Sequence, residues 1–166
     1  MAIELLNRLI MFVALWLAQV LILNRIHLFD VATPLLYVFF VITFRRSSPK
    51  WQILLWCFAL GLLIDVFSNT PGLAAASLTV IAAIQPYYLE LYVPRDSADN
   101  LQPSLRALGP LKYTYYVLPL VLVYCLLFYT LEMLSFSNVL YWLLCVVSST
   151  ALTLLLIFTV EIGKRD

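Results

Sequence analysis

The chain has 166 residues, 64% of them hydrophobic and 11% charged, with a formal net charge of +1 and a mean hydropathy of +0.98. That much apolar surface exceeds what a soluble core of this length can hide, so the bilayer has to serve as solvent. The near-neutral balance, with no basic run interleaved with aromatics, argues against a nucleic-acid partner.

Six apolar runs read as six spanning helices in one domain over residues 1–166, an all-α membrane bundle. The first covers residues 9–23, after Arg8. No small-x-small cleavage site ends it before Asn24, so a retained helix is expected rather than a signal peptide. The polar cluster Asn24, Arg25, His27 and Asp30 follows. The second run, residues 31–44, passes through Pro34 and is short for a hydrocarbon core that usually takes about 20 residues. It is expected either to begin near Leu28 or to pack where the bilayer thins. Arg45, Arg46, Ser47, Ser48, Pro49 and Lys50 make a tight turn into the third helix, residues 51–67, which carries Gly61 and Asp65.

Ser68, Asn69, Thr70, Pro71 and Gly72 are turn formers and make a short uncharged loop. The fourth helix, residues 73–91, opens on Ala74, Ala75, Ala76 and Ser77 and reaches Gln85 and Pro86. Small side chains let helices approach closely in lipid, which makes this helix central, with Ala75, Ala76, Ser77, Gln85 and Pro86 as helix-packing or partner contacts. Residues 94–110 mix Arg95, Asp96, Asp99, Arg106 and three prolines with Leu101, Leu105 and Leu108, and read either as a docking loop or as a solvated linker. Helices over 113–131 and 139–162 follow, separated by Glu132, Ser135, Ser137 and Asn138. Tyr87, Tyr88, Tyr92, Tyr113, Tyr115 and Tyr116 are expected at one membrane interface, and Tyr141 and Trp142 at the other.

Under this arrangement nine of the ten Lys and Arg residues share one side: Arg8, Arg45, Arg46, Lys50, Arg95, Arg106, Lys112, Lys164 and Arg165, with Arg25 alone opposite. Short basic loops resist translocation, so both termini are expected in the cytoplasm and the protein in the inner membrane.

The chemistry on offer is sparse. Asp65 is the only carboxylate well inside an apolar run, which makes it a candidate for ion or proton coupling. The favoured reading is structural, as an acceptor for backbone N–H groups of the turn at 68–72 or of the fourth helix. Glu90, Glu132 and Glu161 sit at span ends and are expected to face water, while Lys164 and Arg165 suit a helix C-terminus and anionic lipid. His27 has no Cys, His or acid at ligand spacing, and Cys57, Cys125 and Cys145 lie inside apolar runs as small hydrophobes. No nucleophile–base–acid set and no phosphate-binding loop can be assembled, so neither an enzyme nor a cofactor or metal is expected. Corresponding Gly or Pro breaks in two halves, the pointer to a transporter midplane site, are absent apart from Pro86 and Pro119.

The stretch GLLIDVFSNTPGL over residues 61–73, running into the small-residue helix and closing on Gln85 and Pro86, resembles the signature of the rod shape-determining protein MreD family. One departure is visible, since the family usually has a hydrophobic residue between the positions matching Pro71 and Gly72. The resemblance implies a non-enzymatic component of the bacterial elongation machinery, in complex with an MreC-like scaffold and near a peptidoglycan glycosyltransferase and transpeptidase pair. It also implies a fold similar to the substrate-binding subunits of energy-coupling-factor transporters, with Gly61 allowing close helix approach, Asp65 fixing the outer turn, and Pro71 with Gly72 starting the fourth helix. Two functions stay open, a structural adaptor and a small-molecule-binding membrane subunit of a transporter. A hydrophilic cavity lined from several helices would favour the second.

Overall fold

The computed structural model describes residues 2–26, 31–134 and 138–164, and among these every regular element is a helix, without strands. In chain order the helices are α1 (Ala2–Leu21, extended by a tighter turn over Leu23–Arg25), α2 (Val38–Ile42), α3 (Lys50–Ser68), α4 (Leu73–Glu90), α5 (Leu105–Leu108), α6 (Pro110–Glu132) and α7 (Val139–Gly163). His27, Asp30, Ser135, Ser137 and Arg165 lie outside the described residues.

Four helices, α1 with its extension, α3, α6 and α7, are long and apolar enough to cross a membrane, which makes the chain a multi-pass membrane protein by length and composition. α4 has 18 residues but is diluted by Gln85, Pro86, Tyr87, Tyr88 and Glu90 in its second half. The exposed faces are apolar. Trp51, Leu55, Phe58, Leu62 and Val66 form one outward stripe on α3, and Ile3, Leu6, Ile10, Val13, Leu17 and Leu21 another on α1, each at helical spacing. Such stripes suit lipid.

α3 and α4 form the closest helix pair, α4 also packs on α6 and α6 on α7, while α1 lies against α3. Alternating direction gathers the basic residues at one end. There the Arg8 guanidinium donates to Ser48 Oγ (2.7 Å) and Gln52 Oε1 (3.3 Å), Arg45 pairs with Glu4, and the Lys50 ammonium stands 3.9 Å from the centre of the Tyr87 ring. Arg8 is inside α1, which begins seven residues ahead of the expected start at residue 9. At the other end Asn24 Nδ2 donates to Ser68 Oγ (2.6 Å), joining the ends of α1 and α3 beside Arg25.

The largest departure from expectation is the second apolar run. Residues 31–44 are not a spanning helix, since only Val38–Ile42 is α-helical. Residues 35–44 are buried throughout, so the run is apolar because protein surrounds it on all sides. Backbone outside a helix is tolerated at membrane depth only when its polar groups find protein partners, and four helices supply them. From α7, Ser149 Oγ accepts from the Thr33 N–H (3.2 Å) and Thr153 Oγ1 from the Leu35 N–H (3.1 Å). From α1, Gln19 Nε2 donates to the Pro34 carbonyl (2.9 Å). From α4 and α6, Gln85 Nε2 donates to the Phe44 carbonyl (3.3 Å) and to Tyr116 Oη (2.9 Å), and Tyr116 Oη donates on to the Ile42 carbonyl (3.4 Å).

Three further expectations change. Tyr113 and Tyr116 are fully buried, with Tyr88 and Tyr92 against Tyr116, so only Tyr87 and Tyr115 of that group are exposed. Residues 94–110 dock on the protein itself: Leu108 is buried, the Leu101 carbonyl accepts from the Arg46 N–H (3.2 Å), and Ser47 Oγ donates to Asn100 Oδ1 (3.0 Å). Glu161 is correspondingly buried, its Oε1 accepting from the Leu105 N–H (3.3 Å), rather than facing water.

Candidate functional site

Gly61 and Asp65 are one turn apart on the same face of α3, and both meet the first turn of α4. A Cβ at Gly61 would stand 2.5 Å from Ala75 Cα, 2.7 Å from Ala75 N and 2.9 Å from Ala74 C. These are backbone atoms of a helix and cannot step aside singly, so glycine is required by space here. Asp65 then closes the same junction. Its Oδ1 accepts from the Ala74 N–H (2.9 Å) and the Thr70 hydroxyl (3.0 Å), and its Oδ2 from the Ala75 N–H (2.9 Å).

The connecting turn explains why the carboxylate must come from another helix. α4 begins after Gly72, which has no side chain with which to cap it. The first N–H groups of a helix are orphaned unless something accepts them, and Asp65 takes the place of the missing cap with a charge that also suits the positive helix end. Two residues of the turn are left-handed, Asn69 (φ 56°) and Gly72 (φ 83°). Asn tolerates that conformation as a helix C-terminal residue, and its N–H and that of Thr70 both return to the Asp65 carbonyl. Pro71 is exposed between them. Asp65 therefore holds both sides of the turn, by main chain and by side chain.

Of the small residues of α4, Ala75 and Ser77 are buried in the bundle and Ala76 faces outward. Gln85 is buried against residues 31–44, and Pro86 is half-buried beside it. Sequence reasoning passed over Gln19, Ser149 and Thr153 and placed Tyr116 at the membrane interface; these are polar residues within apolar helices whose common target only the tertiary structure reveals. It also placed Tyr88 at that interface and missed its partner. Pro119 in α6 has no N–H for the carbonyl of Tyr115 four residues earlier, and Tyr88 Oη donates to that oxygen (3.1 Å).

Beside the junction is a cavity of about 690 Å³, bounded by the C-terminal ends of α1, α3 and α6, the N-terminal turns of α7, and residues between 31 and 37. Asn24, Thr33, Ser68, Thr70 and Tyr129 give it polar groups, Arg25 and Glu132 its charges, and Ile64, Leu35 and Phe128 are among its apolar walls. Among the described residues no group of three or more His, Cys, Asp or Glu is placed to hold a metal ion. All three cysteines are free and buried.

No model of a known protein family matches the chain, and no curated protein or solved structure is significantly similar to it.

Proposed function

We propose that this protein is a non-enzymatic component of the bacterial cell-elongation complex, a six-span inner-membrane adaptor of the MreD type that binds an MreC-like scaffold and a peptidoglycan synthase pair. One observation carries the reading. Gly61, Asp65 and the turn at residues 68–72, on which the MreD resemblance rests, form one continuous piece of structure at the α3–α4 junction. The carboxylate there accepts two backbone N–H groups and the Thr70 hydroxyl, which supports a structural part for it. Both termini would be cytoplasmic, with α4 and residues 31–44 completing six crossings of the bilayer. The fold would be similar to that of energy-coupling-factor substrate-binding subunits.

Depleting the protein from a rod-shaped host should turn rods into spheres while solute uptake continues. Depleted cells that stay rod-shaped would contradict the adaptor. A second reading, a small-molecule-binding membrane subunit of a transporter, is favoured by the partly polar cavity beside the junction; it predicts the opposite pair of outcomes, unchanged shape and lost uptake of one solute.

A further inference from the structure

The cavity at the Arg25 end of the molecule has features that helix packing does not require. Open on one side, this space of about 690 Å³ is of the size that takes a small organic ligand. It also has a gradient. Leu35, Tyr37 and Ile64 at its walls are buried, Asn24 and Thr70 half-buried, and Arg25 and Glu132 exposed, so it runs from an apolar floor to a polar rim that carries one cation and one carboxylate. The Arg25 guanidinium has neither a hydrogen bond nor an ion pair among the described residues. It is also the only one of the described Lys and Arg residues at this end. The others are at the opposite end, where Arg8, Arg45 and Lys50 are held by the protein. A planar cation with five donors beside a polar rim recognises a carboxylate or phosphate, and an apolar floor behind it recognises a hydrocarbon body.

We propose that this cavity binds one amphiphilic molecule, its anionic group at Arg25 and its apolar body against Ile64, Leu35 and Phe128. The inference follows from the cavity alone and holds for an adaptor or a transporter subunit, because cell shape and ligand binding are read separately. A free acid from the aqueous side and an anionic lipid from the bilayer share this chemistry.

The test uses the full chain in phosphatidylcholine nanodiscs, titrated with 11-(dansylamino)undecanoic acid, whose fluorescence rises in an apolar site, and in parallel with its methyl ester. The acid should bind saturably. Arg25→Gln should weaken the acid by about tenfold or more, the scale of a lost charge-assisted hydrogen bond, and leave the ester unchanged. Val31→Trp, which fills the cavity from a half-buried position outside the helices, should remove both. Competition by unlabelled undecanoate assigns an aqueous source, and competition by phosphatidylglycerol added to the nanodisc assigns a lipid one. Absence of saturable binding to the wild type would overturn the proposal. So would unchanged acid affinity in Arg25→Gln, or an equal loss in Arg46→Gln at the opposite end, which would mark a surface-charge effect.

Discussion

Two glycines and one aspartate make the α3–α4 junction, and each is needed for a different physical reason. Gly61 is required by contact, because any Cβ meets the Ala74–Ala75 backbone, whereas Gly72 has open space around its Cα and is required by its positive φ. Gly61→Ala should therefore separate α3 from α4 and cost about 1–3 kcal/mol as overpacking does, and Gly72→Ala about 1–2 kcal/mol through left-handed strain. Thermal unfolding in mild detergent measures both, and only the first should also lower protection of α4 amides in hydrogen exchange. At Asp65, asparagine keeps one acceptor and leucine none, so Asp65→Leu orphans the Ala74 and Ala75 N–H groups at about 1–3 kcal/mol each while Asp65→Asn costs less. Equal loss of function in both, with equal amounts of folded protein, would assign the role to the charge. This much was legible in the sequence: a carboxylate three residues before a run of turn formers, followed by a helix whose cap position is glycine, has backbone donors waiting for it. The sequence does not reveal Gly61 meeting Ala75 or the part Thr70 plays, since both depend on how two helices cross.

At the scale of elements, the run over residues 31–44 defines the interior. Its backbone depends on Gln19, Gln85, Tyr116, Ser149 and Thr153. Thr153→Val preserves shape but leaves the Leu35 N–H without its acceptor and should cost about 1–3 kcal/mol, with hydrogen exchange rising at residues 33–38 before any helix opens. Tyr88 and Pro119 form a second such dependence. Tyr88→Phe should cost about 0.5–1.5 kcal/mol by freeing the Tyr115 carbonyl, and much less in a Pro119→Ala background, where the restored N–H can take that oxygen. A double-mutant cycle reads the coupling, and additive effects would show that Tyr88 does not serve that carbonyl. On α4, Ser77→Phe enters the core and should unfold the bundle, while Ala76→Phe, on the outward face, should leave stability unchanged and weaken only a partner contact. Hydropathy located the ends of α3, α4, α6 and α7 to within about three residues because lipid-facing runs are long and bounded by turns. It could not distinguish residues 31–44 from a lipid-facing span, because a chain segment buried among helices is as apolar as one in a membrane. For the same reason Tyr113, Tyr116 and Glu161 looked interfacial: nothing local to them announces the neighbours they meet, Phe158 at Tyr113, Tyr88 and Tyr92 at Tyr116, and the Leu105 N–H at Glu161.

The whole molecule is polarised. Arg8, Arg45, Arg46, Lys50 and Lys164 cluster at one end, and the cavity with Arg25 is at the other. The positive-inside rule turns that polarity into orientation, so reporter fusions after Lys50, within residues 94–110 and at the C-terminus should all report cytoplasm. A periplasmic signal at any of the three would contradict the six-span count. The expected orientation rests on charge alone, because the rule acts on loops and needs no tertiary contacts, whereas the cavity was invisible in sequence, its lining drawn from five separate segments. The most direct measurement of the central claim is purification of the tagged protein from its own membranes in mild detergent, with mass spectrometry of what accompanies it. An adaptor of the elongation machinery should bring down a single-span MreC-like scaffold together with a glycosyltransferase and transpeptidase pair, and Ala76→Phe should thin that set without lowering yield. Recovery of an ATP-hydrolysing transporter module in their place would contradict the account.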